Sequence, residues 1–318
     1  MKFEKANFQE QDILKILQLY PVDLDKVKVS NLNGIANNNY RVTGNNFDIV
    51  LKVYSHGQSD KNKIEKELEV LRLFKRKGIR VPKIIVGRNL KILQEFKGFN
   101  IVATKFIPGD VFDTLDFTPN RMNEIGRIVA QVETEAKQID ISSFTCMNLK
   151  EEFDYVSKNL NSEMTKKHYD FDLSLYSDNL SFIKEVIQKL DNSKNKQFLH
   201  KDIWPWNLIK AKDGIYLLDF NDWSIGDPII ELSVALLEFS MFKSDQFNTK
   251  VALNIFRGYK SLKELRYKPK DLWETMLFIC YLYFPYNVIQ AEDRFEAEIY
   301  LKRIDTLFKN PNLLDLLL

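Results

Sequence analysis

An α+β fold is the class this sequence predicts, and three observations lead to it. Short apolar runs separated by turn residues fill the stretch 27–106, helical apolar spacing dominates beyond 118, and a single hairpin signal interrupts that helical part near residue 213. The elements follow in order. Apolar residues at 13, 14, 16, 17 and 19 predict a short leading helix within 8–20, before Pro21. Runs at 27–32, 40–43 and 48–54, punctuated by Gly34 and by Gly44-Asn45-Asn46, predict an antiparallel meander. A helix is expected over 61–77 with Gly78 as its C-cap, and Pro82 opens the next segment. The runs 91–96 and 100–106 pair across Lys97-Gly98, which completes a five-stranded antiparallel lobe with one long helix. Pro108-Gly109 breaks the pattern, and Thr118-Pro119 reads as N-cap and first-turn proline of a helix to about 138. Apolar spacing over 149–161, 178–190, 228–243, 270–290 and 292–308 predicts helices facing a core, with 191–196 a polar connector.

Chemistry concentrates in His200-Lys201-Asp202-Ile203-Trp204-Pro205-Trp206-Asn207, followed twelve residues past its asparagine by Asp219-Phe220-Asn221-Asp222. Phosphoryl transfer needs a carboxylate within reach of the attacking hydroxyl, and an amide oxygen plus a second carboxylate to hold Mg²⁺ on the triphosphate. The chain writes H-K-D-x-x-x-x-N and then D-F-N-D, so Asp202 is the candidate base, His200 is grouped with it as catalytic, and Asn207 and Asp219 are the candidate metal ligands. Apolar residues 208–211 and 215–218 flank Asp213-Gly214, a strong hairpin signal. If 213 and 214 form the turn, Asn207 and Asp219 emerge side by side at the open end, where a hard cation such as Mg²⁺ finds oxygen ligands. Upstream, Lys52 in Ile49-Val50-Leu51-Lys52-Val53-Tyr54 is similar to the V-A-I-K strand whose lysine meets the α- and β-phosphates.

With these motifs on the page, the chain resembles the aminoglycoside phosphotransferase and choline kinase-like small-molecule kinases, a family that includes type II homoserine kinase-like and spore-coat kinase-like members. Two further segments carry the resemblance: Gly226-Asp227-Pro228 with Glu231-Leu232-Ser233, and Gly34-Ile35-Ala36-Asn37-Asn38-Asn39-Tyr40, which is similar to the family's nucleotide-covering hairpin. The resemblance implies a two-lobed, protein-kinase-like fold, with 1–106 as the nucleotide-binding N-lobe and 107–318 as the C-lobe holding the catalytic loop, metal site and acceptor pocket. It implies ATP or GTP as co-substrate and Mg²⁺ as cofactor. Asn38 is the candidate phosphate contact in the hairpin, Glu67 the partner of Lys52 in preference to Glu65 or Glu69, and Thr104 and Phe106 the hinge residues for the base. Three departures stand out: Lys201 where the family usually has glycine, Trp204-Pro205-Trp206 where it has His-Pro-Gly, and Glu231 where it has aspartate. None removes a catalytic group. The indoles either shape the acceptor pocket or pack the loop.

Composition narrows the function further. At 318 residues the chain can bury a large core, and its 46 Lys and Arg against 44 Asp and Glu give no case for nucleic-acid binding. Cys146 and Cys280 stand alone, without C-x-x-C or histidine partners, so no disulfide or zinc framework is expected. Met1-Lys2-Phe3-Glu4-Lys5 has no apolar leader core, and no stretch approaches the ~18 apolar residues of a membrane helix, so a cytoplasmic enzyme is expected. The expected reaction moves the γ-phosphate of a nucleoside triphosphate to a hydroxyl of a small hydroxylated amine such as an aminoglycoside or amino alcohol. The aromatic 273–286 segment and the acids Glu292, Asp293, Glu296 and Glu298 suit a cationic acceptor. Homoserine kinase and a catalytically idle kinase-like binding or spore-coat protein are the alternatives. A metal-dependent hydrolase on His200, Asp202 and Asp219 is disfavoured, because His56 and His168 are remote in sequence.

Overall fold

The structure is a computed structural model and describes residues 5–32, 34, 37–56, 60–315 and 317. Ile35 and Ala36 of the expected nucleotide-covering segment lie outside these. The chain divides into two compact units, Met1–Asp110 with Ile209–Asn221, and Val111–Leu208 with Asp222–Leu318. The hairpin after the catalytic segment therefore belongs with the first unit, whereas the sequence reading grouped everything beyond 107 together.

The first unit opens with α1 (Glu10–Leu17) and continues through β1 (Lys28–Asn31), β2 (Asn38–Thr43), β3 (Asp48–Val53), α2 (Lys61–Arg76), β4 (Ile84–Ile85), β5 (Gln94–Phe96), β6 (Phe99–Lys105) and β7 (Gly109–Val111). The first six strands form one antiparallel sheet in the order β1-β2-β3-β6-β4, with β5 also on β6. The strand beyond the five expected is β4, whose two residues are too few to show any alternation. Alternation in the longer strands sends Tyr40, Val42, Leu51, Val53, Ile101 and Ala103 to one face, where Ile13, Ile16 and Leu17 of α1 cover them. Val102 points to the other face and meets Ile64 and Leu68 of α2. A strand period of two therefore turns Lys52, between Leu51 and Val53, toward α2.

Along the chain follow α3 (Pro119–Ala136), α4 (Leu149–Ser157), α5 (Leu160–Lys166), α6 (Ser174–Asp178), α7 (Leu180–Asp191) and β8 (Gln197–Leu199) of the second unit, then the hairpin β9 (Leu208–Ala211) and β10 (Gly214–Leu217). The second unit resumes with β11 (Ser224–Gly226), α8 (Ile229–Ser240), α9 (Thr249–Lys260), α10 (Pro269–Tyr286) and α11 (Arg294–Lys309). The hairpin closes on Lys212 and Asp213, and Gly214 is already in the strand. A side chain on Gly214 would strike the Arg80 guanidinium, and its φ of +131° suits glycine alone. Arg80 accepts the Leu217 amide at 2.8 Å, and Phe220 packs edge-on to Phe74 of α2.

In the second unit α8 is buried all round and α10 nearly so, as a helix apolar on every side must be. Helix α9 is absent from the sequence expectation, although Asn248 as N-cap and Val251, Ala252, Ile255, Phe256 and Tyr259 on one face mark it. It crosses α3 where Gly126 and Gly258 let the two backbones meet: a Cβ on either would overlap backbone of the other helix. Buried Arg303 of α11 pairs with buried Glu238 of α8 at 3.2 Å, and Tyr300 donates to the same carboxylate at 2.8 Å. Among the described residues no helix is long and apolar enough to cross a membrane.

Candidate active site

In the first unit the side chains gather around Lys52. Its ammonium lies 3.3 Å from Glu67 Oε1, 3.0 Å from Asp219 Oδ1 and 2.6 Å from Asn221 Oδ1. Strand alternation aims the lysine at α2, and in that helix Glu67 faces the sheet while Glu65 and Glu69 do not share its buried positions. Burial by itself would depress the lysine pKa, but Asp219 and Glu67 outweigh it and hold the ammonium above its usual range. Burial likewise pushes the Glu67 carboxyl up, against the pull of Lys52. Tyr54 donates its hydroxyl to Glu67 at 3.1 Å, so the carboxylate is fixed from two sides. Asp219 itself has φ +53°, a left-handed backbone unusual for a non-glycine residue and common where side-chain direction matters.

The other candidates in this unit sit differently. In the β2–β3 register Asn39 lies opposite Lys52 and Asn38 opposite Val53. Directly opposed residues share a face, so Asn39 faces the lysine's side and Asn38 the α1 core. Period-two alternation could have shown this once the register was known. Asn37 is buried and accepts the Ser55 amide at 3.0 Å, which anchors the start of the strand. Thr104 is opposed by Val50 on one side and Ile84 on the other. The Phe106 amide donates to Asp48 at 3.0 Å and is spent inside the unit, and its ring lies 3.7 Å below the Arg41 guanidinium.

In the second unit the segment 200–207, which carries the candidate base, is a loop ending in a single 3₁₀ turn, Pro205–Asn207. Asn207 Nδ2 donates to the Asp202 carboxylate and, at 3.2 Å, to the Asp202 carbonyl. This orients the Asp202 side chain and leaves the Asn207 amide oxygen as the atom that could meet a cation. His200, grouped with Asp202 as catalytic, is fully buried, and its Nδ1 accepts the Asp202 peptide N–H at 3.2 Å. That contact shapes the loop from within. The peptide N–H groups of His200 and Lys201 both donate to Glu231 Oε1, the latter at 3.1 Å. Burial pushes the Glu231 carboxyl up to about 7, opposed by those two N–H groups.

The loop tryptophans stack edge-on at 4.7 Å, and Trp206 continues to Phe242 at 5.8 Å. Trp206 keeps 37% of its surface exposed while Trp204 is more covered, so one indole packs and the other also presents a face to solvent. Most of the aromatic helix, whose residues would suit a cation, is core: Phe278 and Tyr281 are buried, and Trp273 donates to the Leu307 carbonyl at 2.9 Å. Tyr283 and Tyr286 are half-buried, and Tyr283 donates to the Lys201 carbonyl at 3.0 Å. Arg294 pairs with Asp170 at 2.7 Å. Sequence reading missed Asn221 and Glu152, the partners of Lys52 and Lys201; neither has a local signature.

Among the described residues no group of three or more His, Cys, Asp or Glu side chains gathers as a metal centre. Asn207, through its amide oxygen, and Asp219, through its carboxylate, each offer the hard oxygen donor that Mg²⁺ takes, an ion that uses one or two protein oxygens and completes its shell with water and phosphate.

Comparison with known proteins gives a consistent picture. Residues 29–268 match the model of the APH phosphotransferase enzyme family. The LicA homolog of Mycoplasma capricolum is 34% identical over 85 residues, a segment spanning 27% of this chain and 33% of that protein. Amicoumacin kinase, solved with AMP-PNP, Ca²⁺ and Ami, superposes with a TM-score of 0.75 at 16% identity over 96% of this chain and 95% of that one. A choline kinase from Cryptosporidium parvum gives 0.68 at 16% identity over 96% of each chain. These similarities show the two-lobed, kinase-like fold.

Proposed function

Because the chain belongs to the phosphotransferase enzyme family, we propose that it is a small-molecule kinase that moves the γ-phosphate of ATP or GTP to a hydroxyl of a hydroxylated amine. The observation that carries this reading is the Lys52 ammonium held between Glu67 and Asp219, the lysine–glutamate pair with a nearby metal carboxylate on which kinase phosphate binding depends. Lys52 meets the α- and β-phosphates when nucleotide enters, and Glu67 keeps it extended for them. Asp202 accepts the proton of the acceptor hydroxyl as its oxygen attacks phosphorus, and Asn207 Nδ2 holds the carboxylate in that orientation. Asn207 Oδ1 and Asp219 would hold Mg²⁺. When bound, the cation neutralises charge on the phosphoryl oxygens.

A cationic acceptor is favoured over an amino acid gripped by its carboxylate. Arg294 is already paired with Asp170, and Arg303 is buried against Glu238, so neither stands ready as a bidentate clamp. The amicoumacin and choline kinases among the structural relatives support the same class. The test is nucleotide consumption over aminoglycosides, macrolides, amino alcohols and hydroxy amino acids, with ATP and with GTP, for wild type and Asp202→Ala. We expect an amine-bearing alcohol to be turned over, and Asp202→Ala to lose transfer while still binding Mg-nucleotide. Turnover of homoserine with amines inert would overturn the acceptor class. Full activity in Asp202→Ala would overturn the base, and nucleotide binding without any turnover would favour an idle binding protein.

A further inference from the structure

Lys201 precedes the proposed base and adopts φ +65°, in the left-handed region where a Cβ crowds the carbonyl and glycine is the ordinary occupant. Three helices hold it there. Its peptide N–H donates to Glu231 of α8 at 3.1 Å, and its carbonyl accepts from Tyr283 of α10 at 3.0 Å. Its ammonium meets both carboxylate oxygens of Glu152 on α4, at 2.6 and 2.8 Å. The first two contacts use the peptide groups and suit any residue. Only the third needs a lysine, and it is a sheltered one, with the Lys201 side chain 9% and Glu152 22% exposed.

We propose that the Lys201–Glu152 pair is a positioning device that locks the left-handed turn before Asp202 and thereby aims the Asp202 carboxylate at the acceptor hydroxyl. The inference rests on the reading of Asp202 as the base. A lysine in this conformation suffers steric strain that glycine would not, so its side chain must be tied down for the turn to persist. Glu152 does this from a helix far away in sequence. The same ammonium lies in the field of the Asp202 and Asp222 carboxylates, so removing it also alters the charge around the base.

The experiment compares Lys201→Met, Lys201→Gly, Glu152→Gln and the Lys201→Gly/Glu152→Gln double variant in the full chain. Methionine keeps the Cβ and its strain but loses the anchor; glycine loses both. We expect Lys201→Met to lower kcat on the order of 10- to 100-fold, the scale of a misplacement of about an ångström, with nucleotide KM within about twofold. Lys201→Gly should recover at least about tenfold of that loss. Glu152→Gln should slow the lysine enzyme but have little effect in the Lys201→Gly background, the non-additivity of a coupled pair. Amide exchange at 200–202 without substrate gives a second readout, independent of turnover: about tenfold faster in Lys201→Met than in wild type, and slower in Lys201→Gly than in Lys201→Met. Wild-type kcat and exchange in Lys201→Met would overturn the proposal, as would Lys201→Gly as impaired as Lys201→Met in both measurements. If Lys201→Met does not fold, Glu152→Gln with and without Lys201→Gly decides by the same criteria. An active Asp202→Ala instead refutes the base assignment, and the exchange data then judge the turn by themselves.

Discussion

Glu231 offers a measurement in which charge, burial and stability are tied together. Its carboxyl is wholly buried in α8, accepts the peptide N–H groups of His200 and Lys201, and faces the charges of Glu133 and Lys201. In the unfolded chain it titrates near 4.5, and in the folded protein at about 7. The folded state thus binds this proton more tightly. The stability it contributes is full below the unfolded pKa and is lost as pH rises through the folded one. Between pH 5 and pH 8 that loss amounts to about 2–3 kcal/mol, at about 1.4 kcal/mol per pKa unit. Glu231→Gln keeps an oxygen for both N–H donors but cannot ionise, so it should be free of this slope. The assay is urea unfolding of both proteins at pH 5, 6, 7 and 8, followed by tryptophan fluorescence. Trp204, Trp206, Trp223 and Trp273 all lie in the second unit with Glu231, so the signal reports the relevant transition. Because every other titrating group is common to both, only the difference between the two curves matters. The wild type should lose stability relative to Glu231→Gln as pH rises, most steeply between the two pKa values and levelling off above the folded one. Parallel curves from pH 5 to 8 would show that the carboxyl titrates as an ordinary glutamate and that burial is not its governing influence.

Two more outcomes follow from the geometry. Asp219→Asn removes one charge from the proposed cation site and one partner of Lys52, so calorimetric titration should show nucleotide binding at least about tenfold weaker in Mg²⁺ and little changed without it; equal affinity in both conditions would remove Asp219 from the metal site. Gly258→Ala should destabilise the protein by about 2 kcal/mol or more, read as a lower thermal midpoint of the second unit, because its Cβ would overlap the Asn123 carbonyl where α9 crosses α3; an unchanged midpoint would mean the helices part at no cost.

What the sequence determined is what local spacing can encode. Alternation placed Lys52 on a strand between apolar neighbours, Thr118-Pro119 began α3, Gly78 at φ +83° ended α2, and the spacing from His200 to Asn207 and Asp219 singled out the residues proposed for phosphoryl transfer. Each of these depends on residues a few positions apart, so periodicity and capping expose it. Even there, a turn misjudged by one residue shifted the hairpin from Asp213-Gly214 to Lys212-Asp213, because the approach of Arg80 is not a local property. Tertiary structure alone decided the rest. Strand register turned Asn38 toward the α1 core and Asn39 toward the lysine's face; Asn221 reached Lys52 across 169 positions, and Glu152 reached Lys201 across 49. Most of the aromatic helix became core, while Tyr283 reached the Lys201 carbonyl across 82 positions. Such pairings leave no periodic trace in the chain, because which carboxylate meets a buried ammonium is settled by how whole helices and strands pack around it.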